Sequence, residues 1–309
     1  MTSNPPRKHH FTPVFHLDEW TGADGELEQF DRPWGPQIKV RRLPPTATGF
    51  ETDLYAMPGL PAHLTQQVEI LFMQEVDSLA AVELARMKAG DLPSTSAQRS
   101  AWTRYMLSLQ LRTPVDIAGV KARARNGWGT ELPKVQETYE SIKRLGDPAT
   151  FEEFIAGGDP EMVERVGIKL ATVLMDNPKT GALINNMRWS VLDLSPSNLE
   201  LVLSDRGIEQ SLGLGDPRAT ITVPISPKKL FIAAHDAARI ENLRTRVPRD
   251  IVRARNLTSV SLARTHVWAS DRSQEAFIKA RFATVSAPTL GERLADTADR
   301  SAPADADEA

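Results

Sequence analysis

Short runs of alternating apolar and polar residues lie near both ends of this chain, separated by a long helical middle. "GELEQFD" (25–31) and "QIKVRRL" (37–43) alternate as half-buried strands do, around the Pro/Gly turn "RPWGP". From residue 186 come "NMRWSVLDL" (186–194), "LELVLSD", "ATITVPIS" and "KKLFIAA", four further β candidates. Neither cluster is large enough to stand alone. Residues 8–44 are therefore expected to pair with strands between 187 and 234, in one sheet packed on helices from 62–180. The predicted fold class is α+β: a helix-rich single domain with a small, mostly antiparallel sheet formed by N-terminal and C-terminal-half strands.

The middle supplies the helices. In "HLTQQVEILFMQEVDSLAAVELARM", Leu64, Val68, Leu71, Val76, Leu79 and Val82 repeat at helical spacing and are expected on one buried face. "AQRSAWTRYMLSLQLR" (97–112) is apolar nearly all round and reads as a buried helix. Thr113-Pro114 caps and opens the next helix, where the missing proline N–H costs little. Asp147-Pro148 and Asp159-Pro160 repeat the device. "RVPRDIVRARNLTSVSLARTHVWAS" reverts to helix, with Pro248 in its first turn. Residues 1–7 are expected to be mobile, 8–287 to form the domain, and 288–309 to be a disordered acidic tail, with deletion of 289–309 leaving the melting temperature unchanged.

Composition removes several function classes. There is no cysteine, so disulfides, thiolate metal ligands and a cysteine nucleophile are excluded. No apolar run approaches the roughly 20 residues that cross a bilayer, and "MTSNPPRKHH" has no secretory apolar region. A soluble cytoplasmic protein without a membrane partner is the expectation. The net charge of −3 hides twelve Lys/Arg against five Asp/Glu between Lys228 and Arg281. Local excess of this kind attracts anions. Walker A, Gly-x-Ser-x-Gly and His-Glu-x-x-His patterns are absent, and "GLGLGDP" lacks both the third glycine and the following helix of a dinucleotide fingerprint.

The opening stretch "RKHHFTPVFHL" raises the question of a site. As a strand, 9–17 would hold His10 and His16 about 20 Å apart at ~3.3 Å per residue. Two imidazoles on one zinc each need ~2 Å to the metal. Any site here must therefore recruit residues from elsewhere.

"RKHHFTPVFHLDEW" resembles the opening His-His-x-x-Pro-x-Phe/Tyr-x-Leu motif of the "domain of unknown function 4238" family. "EQFDR", "ETDLYAM", "VEILFMQEVDSLAAVELARM", "YMLSLQLRTP", "LVLSDRG", "VPISPKKLFIA" and "VRARNLTSVSLARTHVWAS" resemble its later segments in order, over about residues 8–270. His16 and Trp20 stand where the family usually has Tyr and Phe. Leu203, Arg206 and Gly207 replace its Thr, Asn and Pro around Ser204-Asp205. The resemblance implies an architecture and marked positions, but no reaction.

The polar groups at the motif centres are His9, His10, Glu75, Arg112, Ser204 and Asp205. They are the parts for phosphodiester hydrolysis: imidazole as acid or base, aspartate to orient it or hold a divalent metal, arginine to stabilise phosphate charge. Arg246, Arg249 and Arg253, at three- to four-residue spacing, would form an anion-binding stripe for nucleic acid or another phosphate-bearing ligand. His9 or His10 is expected within reach of Ser204-Asp205, with Arg112 or Glu75 in the same cleft. The competing reading is a non-catalytic binding module in which these polar groups only hold the fold together.

Overall fold

The structure is a computed structural model that describes residues 6–33 and 35–299. It opens with β1 (Lys8–His10), α1 (Val14–Leu17), β2 (Leu27–Asp31), β3 (Lys39–Leu43) and β4 (Phe50–Thr52). The helical middle holds α2 (Ala62–Thr65), a π-helical turn Glu69–Met73, α3 (Gln74–Lys88), α4 (Ser96–Leu109), α5 (Pro114–Ile142), α6 (Phe151–Ala156), α7 (Met162–Met175) and α8 (Pro178–Asn185). Then follow β5 (Arg188–Asp193), β6 (Leu203–Ser204), β7 (Glu209–Gln210), β8 (Thr220–Ser226) and β9 (Lys229–Ala234). The chain continues through α9 (Ala237–Arg244), α10 (Pro248–Leu262), β10 (His266–Ala269), α11 (Glu275–Arg281) and α12 (Leu290–Asp299). The α+β class holds: helices dominate and the strands form small antiparallel sheets. No helix among the described residues is long and apolar enough to cross a membrane.

The strands divide into three sheets rather than the single one expected: β1-β4, β3-β2-β10-β6 and β5-β9-β8-β7. Both chain halves do meet, in the second sheet. The strand that joins them is β10, in a segment that reads as helix by sequence. Its residues Val267, Trp268 and Ala269 are all buried, so the alternation that marks a half-exposed strand is missing. Val267 and Ala269 pack with Phe30, Val260 and Phe282 on one side, and Trp268 with Leu27 and Leu203 on the other.

The third sheet lies between two helical layers. Trp189, Ile221, Val223 and Phe231 face Val76, Leu84, Trp102 and Met106 of α3 and α4. Leu192, Leu230 and Ile232 face Ile240, Ile251 and Val252 of α9 and α10. His16 fastens α1 into this core. Its Nε2 donates to the Pro224 carbonyl (2.7 Å), which leaves Nδ1 to accept from the Tyr105 hydroxyl (2.6 Å). Complete burial pushes its pKa down to about 4, so the ring is neutral.

Helix α3 turns a different face inward from the one expected. Met73, Val76, Ala80, Leu84 and Met87 are buried, whereas Leu71 (66 % exposed), Leu79 and Val82 face outward. Steps of three residues each fall about 60° short of a full helical turn, so a path from Val76 through Leu79 to Val82 leaves the face. The π turn before it adds a further slip of phase.

Two helix starts also differ from expectation. Thr150, not Asp147, caps α6 in a capping box with Glu153, and Glu161, not Asp159, stands at the N-cap of α7. Thr113 caps α5 as expected.

The C-terminal segment corrects the tail boundary. Residues 290–299 form α12, which packs on α5 through Leu290 and Leu294, beside Ile117 and Val120. The contact is glycine on glycine. A Cβ on Gly119 would stand 2.3 Å from the Gly291 carbonyl carbon, and one on Gly291 would stand 2.3 Å from the Asp116 carbonyl oxygen. Apolar periodicity does not advertise such a seat. At the other end, Arg7 forks onto Asp53 and its carbonyl accepts the Asp53 N–H (2.8 Å), so the expected mobile segment does not reach residue 7. Residues 1–5 and 300–309, the outermost parts of both expected mobile ends, lie outside the described residues.

Candidate functional site

Residues 8–10 pair with β4, His9 opposite Glu51 and His10 opposite Phe50. The strand stops because the Phe11 and Thr12 amides both turn to the Gly49 carbonyl (2.8 and 3.0 Å), and Pro13 then opens α1. Gly49 has φ +66°, and a Cβ there would stand 2.9 Å from the Thr12 carbonyl oxygen, so the close approach needs glycine. Strand alternation sends the two adjacent imidazoles to different surroundings.

His9 is fully buried, and its ring stacks on Tyr55 at 5.3 Å. Nδ1 accepts the Tyr55 backbone N–H (2.8 Å), which leaves the proton on Nε2, 3.3 Å from the Pro6 carbonyl. Burial lowers its pKa despite that carbonyl. His9 is structural.

His10 is half-buried and lines an open cleft of about 290 Å³ with Pro13, Val14, Phe15, Glu69 and Asp77. Burial first, then the cations Arg112 and Lys8, lower its pKa to about 4. Its Nε2 has no hydrogen-bond partner. Across the cleft, Glu69 sits on the π turn, and its Oε2 is likewise buried and unpartnered. Burial raises its pKa to about 7, with Arg112 opposing and Asp77 assisting. Native structures rarely leave such atoms unpaired. Two of them belong to titratable groups with displaced pKa values that line one cleft, which makes it the candidate site.

Arg112 supports this cleft from behind. Its guanidinium, 1 % exposed, forks onto Asp77 (2.6 and 2.9 Å) and donates to the His10 carbonyl (2.8 Å). The Tyr55 hydroxyl donates to the Arg112 carbonyl (2.6 Å). Arg112 thus joins α3, α4 and β1, and its charge is already matched by Asp77.

The Ser204-Asp205 turn belongs to another part of the fold. Asp205 accepts from the amides of Arg264 (2.9 Å) and His266 (3.1 Å), and from both the amide and the hydroxyl of Thr265. Ser204 Oγ accepts the Arg206 amide (3.2 Å). These bonds hold the loop entering β10. No hydrogen bond joins this turn to His9 or His10, and neither Ser204 nor Asp205 lines the cleft that holds His10. Glu75 is exposed on α3 and does not line the His10 cleft either. Glu69 and Asp77 are the carboxylates that do, and sequence reasoning missed both. The available signal was their place on the stripe of Met73, Val76 and Ala80.

The basic stripe is also reduced. Arg246 precedes α10, while Arg249 and Arg253 lie one turn apart on it, all three exposed. Neighbouring Arg255 is buried against Ser259 and the Gly207 carbonyl, and Lys228 and Lys229 donate to backbone carbonyls. Among the described residues no group of three or more His, Asp or Glu side chains is placed to hold a metal ion.

No curated protein and no solved structure matches this chain. A family model does, over residues 8–273, from the paired histidines to just past β10. The chain belongs to the family described as "Protein of unknown function (DUF4238)".

Proposed function

We propose that this chain is a hydrolase working from the His10–Glu69 cleft, with a phosphodiester as substrate. The observation that carries the reading is one open cleft lined by both His10 and Glu69, each of which has a buried polar atom, Nε2 and Oε2, without a hydrogen-bond partner. Between pH 4 and 7 the imidazole is neutral and the carboxyl protonated. His10 Nε2 takes a proton from water as its oxygen bonds to phosphorus. The bond to the leaving oxygen breaks, and Glu69 donates its proton there. Solvent exchange restores both groups. Asp77 is neutralised by Arg112, and the Lys8 ammonium lies 4.7 Å from the Phe50 ring centre beside His10, so protonated Glu69 leaves no net repulsion for a phosphate monoanion. Ionised Glu69 restores it.

The test uses bis-p-nitrophenyl phosphate and a single-stranded oligonucleotide, the latter because Arg249 and Arg253 are exposed together. Turnover should fall as pH rises through about 7. Glu69→Gln and His10→Asn should each lower kcat by about 100-fold or more. The double variant should be little worse than either, as for groups acting together. Turnover unaffected by both substitutions, or none on either substrate, overturns the proposal. A second readout is independent of turnover. Glu69 binds its proton more tightly folded than unfolded, so its contribution to stability is full below pH 4.5 and lost as pH rises to about 7. Glu69→Gln should flatten that fall.

The non-catalytic alternative rests on a different observation: His9, Arg112 and Asp205 are each engaged by hydrogen bonds within the fold. Loss of stability without any turnover phenotype in variants of the cleft favours it.

A further inference from the structure

A second cavity, of about 790 Å³, lies between α4, α8, α12 and the segment 206–215, and it shares no lining residue with the His10 cleft. Its size is that of small-molecule sites. Leu107, Leu174, Leu183, Leu212, Leu290 and Leu294 form its apolar lining, and no lining residue is aromatic. Nucleobases are gripped by stacking on aromatic rings, so this lining suits an aliphatic group instead. Two cations, Arg206 and Arg293, line the same cavity.

Arg206 is the informative one. It is largely withdrawn from solvent, yet its side chain makes only one long hydrogen bond, to the Ala287 carbonyl (3.4 Å), and no ion pair among the described residues. The acids around it are engaged elsewhere. Asp205 is held by the amides of 264–266, Glu292 pairs with Arg264 (2.7 Å), and Asp116 accepts from Gly291 (2.9 Å) and Thr113. A half-buried guanidinium with acids nearby but no direct ion pair has donors left for an anion. Arg293 spends one donor on the Pro288 carbonyl (3.0 Å) and is otherwise exposed.

We propose that this cavity binds an aliphatic chain ending in a single anionic head group, the head at Arg206 and Arg293 and the chain along the leucines. A carboxylate and a phosphate monoester share this chemistry, and the experiment separates them. Dodecanoate, dodecyl phosphate and the uncharged dodecanol are titrated into the full-length protein below their micellar concentrations, by calorimetry. One or both anions should bind saturably at one site, and dodecanol at least tenfold more weakly. The tighter anion identifies the head group. Arg206→Gln should weaken that anion by about tenfold and leave dodecanol unchanged. Leu183→Asp, at the exposed rim, should weaken all three, with circular dichroism confirming that both variants are folded. Absence of saturable binding by either anion, equal binding of dodecanol, or an Arg206→Gln protein that binds the anion as the wild type does overturns the proposal.

Discussion

A chain truncated before residue 289 should melt about 6–10 °C below the full-length protein. Leu290 and Leu294 are half-buried against α5, each contributing about 1 kcal/mol at roughly half of full side-chain burial. Truncation also strips Asp116, 2 % exposed, of the Gly291 amide, and an unsatisfied buried acceptor costs about 1–3 kcal/mol. The sum of about 3–5 kcal/mol converts at roughly 2 °C per kcal/mol for a chain of this size. Gly291→Val should reproduce most of the loss without removing a residue, because its Cβ would meet Asp116 backbone that cannot move aside. Gly119→Val should do the same from the other side. Differential scanning calorimetry of the three variants decides it, and an unchanged melting temperature in all of them would mean that α12 is not seated on α5.

That expectation reverses the one drawn from sequence, for a physical reason. Hydrophobic periodicity reports apolar side chains, whereas α12 is located by two residues with none. The elements read correctly alternate apolar with polar residues in sequence, as β2 and β3 do, or have a residue with a local job, as Thr113 and Pro248 have. β10 is covered on both faces and lost its alternation. The site was legible to the same degree. The paired histidines pointed to β1, but which residues would face His10 depends on a π turn and on the rotation of α3, and neither has a composition signal. The pairing expected with Ser204-Asp205 failed because strand ends look alike in sequence. β1 pairs with β4, whereas β6 is the edge of a different sheet.

Arg112 and Asp77 should give the largest losses of any single substitutions around the His10 cleft. Asp77→Ala leaves a guanidinium that is 1 % exposed without its counter-charge, and removing one partner of a buried pair costs about 3–5 kcal/mol. Arg112→Ala should cost less, because the Asp77 side chain is 20 % exposed and water can reach it. The double variant Arg112→Met/Asp77→Leu should be more stable than Asp77→Ala, since no charge is then left unpaired. Arg112→Lys separates charge from geometry. An ammonium keeps the charge, but it cannot fork onto both Asp77 oxygens and also reach the His10 carbonyl as the planar guanidinium does. It should therefore rescue only part of the stability lost in Arg112→Ala. Because the His10 carbonyl is one of the three contacts, Arg112→Lys should also disturb the His10 imidazole, seen as a shift of its NMR resonances at a pH where the protein remains folded. Urea unfolding midpoints of the four variants supply the comparison. An Arg112→Lys midpoint equal to that of the wild type, with unshifted His10 resonances, would show that charge alone holds β1 against α3 and α4.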